Sequence, residues 1–82
     1  MDETERQAHI AARIATIDRA IAFIEETGDG CKHILRQTTI HQELQDNPSL
    51  LIERMRAMVE AGHTFGPWKA AQIICQAAGL DY

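Results

Sequence analysis

Apolar residues recur along the first third of the chain at helical spacing. Ile10, Ile14, Ile17, Ile21 and Ile24 fall 4, 3, 4 and 3 residues apart, the a/d pattern of one continuous helical seam. Asp2 or Thr4 can cap the start of that helix, Glu3 and Glu5 suit the positive end of its dipole, and Gly28 can end it. At about 1.5 Å per residue it spans roughly 35 Å. Ala8, Ala11, Ala15 and Ala22 flank the seam and leave room for another helix, with Phe23 the bulky residue off the stripe. Isoleucine at both a and d favours assemblies of more than two helices.

Turn-forming residues at 27–30, 46–48 and 62–67 divide the remainder. A second helix is predicted over residues 31–45, with Asp29 as N-cap and Cys31, Ile34, Leu35, Thr38, His41 and Leu44 on one face. Asn47 then caps a third helix that opens at Pro48 and presents Leu51, Met55, Met58 and Val59. Alternatively, Pro48 kinks one long helix over residues 31–61 that lies antiparallel to the first. The last helix begins at Pro67, turns Ala70, Ile73, Ile74 and Ala77 inward, and ends at Gly79. No segment alternates in the manner of a strand. The expected fold is a single all-α domain over residues 1–82, a bundle of three or four helices.

Eighty-two residues, 45% apolar and 5% aromatic, build only a small core. The seam is therefore expected to be buried by self-association, in a homodimer or higher oligomer. Each isoleucine left in water forgoes about 1.5–3 kcal/mol. The other solution is burial of the seam by the later helices within one subunit. A net charge of −4 offers no broad electropositive face for phosphates, so direct nucleic-acid binding is not expected. A helix-turn-helix reading has little support likewise, because residues 68–78 carry Lys69 as their one basic residue, although Gln72 and Gln76 are polar. The acidic start is unlike a secretory signal, and no apolar run approaches the ~18 residues of a membrane span, so a cytoplasmic setting is expected.

Candidate chemistry is sparse. Cys31 beside Lys32, at a predicted helix start, has two features that stabilise a thiolate, which suits a sensor cysteine or a metal ligand shared with His33. A small packing residue is the other reading. Cys75 lacks a neighbouring cation in sequence and reads as packing. His9, His33, His41 and His63 do not follow the spacing that places zinc ligands on one helical face, so neither metal nor cofactor is expected. No phosphate loop, nucleophile elbow or zinc-protease motif occurs, which points away from an enzyme. Phe65 and Trp68 flank a Gly-Pro turn and serve either to dock the last helix or to anchor a partner. Glu25 and Glu26, with Asp29, form an acidic patch able to oppose a basic surface.

Residues 13–37, through Arg13, Ile14, Ile21, Glu26, Gly28, Cys31, Ile34, Leu35 and Gln37, resemble the first hairpin of the copper-sensing and formaldehyde-sensing repressor family. The resemblance implies an all-helical dimer or tetramer built on a long hairpin, with Cys31 binding metal or reacting with an aldehyde. Arg56 and Glu60 stand where that family carries its later ligands, and Asp46, Asn47 and Pro48 are foreign to its second helix. The residues themselves favour a non-enzymatic helical regulator that docks on a larger protein, as inhibitors and adaptors of phage or plasmid type do. The alternative is a metal- or electrophile-sensing regulator using Cys31.

Overall fold

The computed structural model describes residues 2–82, and it is all-helical. Helix α1 (Glu3–Thr27) is capped by Asp2, whose carboxylate accepts the Glu5 N–H at 2.8 Å, and it stops at Gly28. A 3-10 turn (Gly28–Cys31) leads into α2 (Lys32–Leu35), followed by α3 (Gln42–Asp46), α4 (Pro48–Glu60) and α5 (Phe65–Ala78). Among the described residues no helix is long and apolar enough to cross a membrane.

The predicted helix over residues 31–45 is not one element. It breaks after Leu35, where Thr38, Thr39 and Ile40 form a β-branched run. The Thr38 hydroxyl donates to the Leu35 carbonyl at 2.5 Å and accepts the Ile40 N–H at 3.3 Å, giving the backbone a local alternative to the helix ladder. Gln45 donates to the Thr38 and Ile40 carbonyls at 3.2 and 2.7 Å, so the loop's acceptors are satisfied. His41 does not lie on an apolar stripe. It is exposed and caps α3, its ring Nδ1 accepting the Glu43 N–H at 3.2 Å.

Pro48 breaks the chain rather than kinking a long helix. The residue before proline is pushed out of the helical region, and Asn47 sits at φ −129° and ψ 76°. Asn47 does not cap α4 with its side chain. Its amide donates back to the Glu43 carbonyl at 3.0 Å and closes α3. The last helix starts two residues earlier than predicted, because proline's missing N–H is tolerated in a first turn. Helices α4 and α5 end alike. His63 and Leu80 donate to the Met58 and Cys75 carbonyls, each at 2.8 Å, across Gly62 and Gly79 at φ 87° and 73°.

The core joins Ile17, Ala20, Ile21 and Ile24 of α1 to Cys31, Leu35, Leu51, Met55, Ala71, Ile74 and Cys75. The principal contact is α1 against α5. It closes through Ala20, Ala71 and Cys75, all fully buried, whose small side chains let the helix backbones approach. Of the predicted inner face of α5, Ile74 is buried and Ala70, Ile73 and Ala77 are half-buried, so the helix is turned toward Ala71 and Cys75. Ala8, Ala11, Ala15 and Ala22 are exposed and receive no helix within the subunit.

The isoleucine seam divides in two. Ile17, Ile21 and Ile24 are 1–5% exposed within one subunit, covered by the later helices, and are not available to an oligomer. Ile10 and Ile14 are half-buried. From residue 3 to residue 12, α1 is exposed at every position except Ile10 and forms an arm along the molecule's 41 Å long dimension.

This division predicts unequal costs. Ile17→Ala should lose about 2–4 kcal/mol through its cavity, whereas Ile10→Ala should stay within about 1 kcal/mol because little is buried and alanine favours helix. Urea unfolding followed by circular dichroism measures both, and equal losses contradict the division.

Candidate functional site

The first turn of α5 sets Phe65, Trp68 and Lys69 on one face, at positions i, i+3 and i+4. The two rings lie 5.7 Å apart, tilted by 59°. Arg13 reaches over them from the base of the arm, its guanidinium carbon 5.6 Å from the Phe65 centroid and 5.0 Å from that of Trp68. The Lys69 ammonium stands 5.3 and 4.9 Å from the same centroids. Two cations thus share two aromatic faces, an arrangement worth about 0.5–1 kcal/mol per exposed contact.

Trp68 is half-buried, and Phe65 remains 56% exposed. Neither Arg13 nor Lys69 has a carboxylate within ion-pair distance among the described residues; the ion pairs there are Arg6–Glu3, Lys32–Asp29, Arg36–Asp46 and Arg56–Glu25. Met58, 42% exposed, lies against Gly66 at the same end of the bundle. The platform therefore combines exposed apolar surface with two positive charges free to meet an anion.

Glu25 and Glu26 are not part of this platform. They lie twelve or more residues beyond Arg13 along α1, roughly 18 Å away. Glu25 is engaged by Arg56, and both line an open groove of about 530 Å³ with Ser49, Ile52, Glu53, Ala57 and Glu60. Glu26 is exposed. Sequence reasoning found Phe65 and Trp68 but missed Arg13 and Lys69. Lys69 could have been found from its position four residues after Phe65, whereas nothing near Arg13 in sequence signals its contact with α5.

Cys31 does not have the environment its sequence suggests. It is fully buried, and burial pushes its thiol above the ordinary value of 9.0, against a smaller lowering by a hydrogen bond with Thr27. Asp29 raises it further, and Lys32, the weakest influence, lies 3.6 Å from the Asp29 carboxylate. The following helix has four residues and little dipole to contribute. His33 is exposed, with Nδ1 turned to the Gly30 carbonyl. Cys75 is fully buried too, and its thiol is raised by burial, with Arg19 a smaller opposing charge that the sequence did not reveal. Among the described residues no three His, Cys, Asp or Glu side chains converge as a metal site.

Both thiols should react with a disulfide reagent at least about 100-fold more slowly in the folded protein than in urea, since attack requires opening. Their raised folded values also set a sign. On alkalinisation the unfolded chain releases thiol protons first, so their contribution to stability is full below pH 9.0 and is lost as pH rises through the folded values. Urea midpoints should fall above about pH 9, less steeply in a Cys31→Ala, Cys75→Ala double variant. Rapid labelling of Cys31 at neutral pH contradicts the buried placement.

The chain matches no protein-family model, no curated protein and no solved structure.

Proposed function

We propose that this is a non-catalytic helical interaction module that docks on another protein, with Phe65 and Trp68 as its apolar anchor and Arg13 and Lys69 receiving carboxylates. One observation carries the reading: two cations stacked on a partly exposed aromatic pair have no carboxylate within ion-pair distance among the described residues. Aromatic and arginine side chains concentrate binding energy at protein interfaces, and a desolvated carboxylate set beside them gains more than one in water.

The polarity differs from that expected of the acidic patch. Glu25 is paired with Arg56 at a distance from the anchor, and the anchor itself carries the two cations Arg13 and Lys69 on a chain of net charge −4. The partner segment that fits is acidic and carries an apolar side chain. A long polyanion is disfavoured by the overall charge. A module of this kind acts as an inhibitor or adaptor, by occupying a surface. The competing reading, a sensor built on Cys31, lacks the exposed thiolate it requires.

Trp68 is the only tryptophan and reports on its own platform. A glutamate- and leucine-rich peptide should shift its emission, weakening with added salt, whereas a lysine-rich counterpart should not. Phe65→Ala and Arg13→Gln should each weaken that binding roughly tenfold while helicity is unchanged. No shift with the acidic peptide, or a preference for the basic peptide or for oligothymidylate, overturns the proposal.

A further inference from the structure

The arm of α1 is a helix without tertiary cover. An isolated helix of about ten residues is marginal in water, and continuity with the buried half of α1 supplies nucleation but no packing. The face that continues from the core along the arm carries Glu3, Arg6, Ile10 and Arg13, spaced 3, 4 and 3 residues apart. That order is self-complementary. When a second arm runs antiparallel along the first, Glu3 falls opposite Arg13, and Arg6 opposite Ile10, at both ends of the contact.

From this face we infer that a second copy of the chain occupies the platform. The two copies form a two-fold dimer in which each arm lies along the other and its acidic tip meets the partner's Arg13, Lys69 and Phe65. The inference rests on the docking platform proposed above and names one occupant for it. Two observations and a symmetry argument converge on it.

The tip is acidic, with Asp2, Glu3 and Glu5 in or beside the first turn, while the cations at the base have no carboxylate within ion-pair distance among the described residues. Glu3, already 3.1 Å from Arg6 in its own chain, would stand between that guanidinium and the second copy's cations. Helices α4 and α5 leave the space beside the arm unfilled, because they cover α1 only from its middle onward. An antiparallel arm fills that space and covers Ile10, for which the aliphatic stem of the second copy's Arg6 is a suitable neighbour. Finally, a two-fold axis makes the same patch serve both subunits, so one set of charges satisfies both ends and the assembly closes at two copies. Self-association and docking on another protein then compete for the same residues.

Light scattering and sedimentation equilibrium at low salt should give a reversible dimer with a dissociation constant of roughly 1–100 μM, the range of a small polar interface, weakening as salt is added. Glu3→Arg and Arg13→Glu should each weaken it about tenfold or more, and the double exchange should restore part of that loss, Lys69 being unchanged, with circular dichroism confirming that all three variants remain folded. Trp68 emission should change with protein concentration in the parent and not in the single variants. A parent that stays monomeric near 1 mM, a dimer indifferent to Arg13→Glu, or a double exchange that restores none of the lost association overturns the inference. The Glu3→Arg variant separates the two proposals. It keeps Arg13, Phe65, Trp68 and Lys69, so an acidic peptide still shifts its Trp68 emission if only the self-pairing is wrong.

Discussion

Helix α1 has 25 residues, whereas α4 and α5, which close over it, have 13 and 14. This mismatch in length governs the rest of the molecule. The apolar stripe of α1 does not end where its cover ends, so Ile17, Ile21 and Ile24 become core while Ile10 and Ile14 emerge beside the bundle. At the point of emergence, α5 starts, and the aromatic pair of its first turn meets the arginine at the base of the arm. The site is thus a product of the boundary between covered and uncovered helix. It needs no dedicated loop or cavity.

Much of α1 was legible in sequence because its signals are local: a capping aspartate, a regular isoleucine stripe and a glycine stop all act within a few residues. The opening of α4 at Pro48 and the end of α5 at Gly79 were legible for the same reason. The break after Leu35 was not, since it turns on the Thr38 hydroxyl outcompeting a backbone bond and on Gln45 reaching back to two carbonyls. The rotation of α5 was also hidden. Ala70 and Ala71 are equivalent in pattern, and only the packing of α5 on α1 buries Ala71 completely. At the site, Phe65 and Trp68 announce each other by helical spacing, but Arg13 joins them through a contact between distant parts of the chain. Cys31 misled because neighbours in sequence were weighed without burial, and burial dominates its thiol.

The distribution of charge is more informative than its sum. Arg56 and Lys32 are each held by a nearby carboxylate, so parts of the surface are internally balanced. Arg13 and Lys69 are held instead by aromatic faces, which stabilise a cation without neutralising it. An aromatic platform keeps positive charge oriented and partly desolvated while leaving its electrostatic attraction available to another molecule. On a chain with excess acid, two cations held this way make a local departure from the overall sign of charge.

The principal packing contact, α1 against α5, joins the first helix to the last. An all-helical domain usually folds through neighbours in sequence, but here the core closes only when widely separated segments meet, which raises the contact order and the entropy of loop closure. During synthesis the isoleucine stripe is made first and its cover last. Until α5 leaves the ribosome, the stripe of α1 has only the partial cover that Leu35, Leu51 and Met55 supply. That interval, rather than the finished fold, is when the chain is most exposed to chaperones and to aggregation.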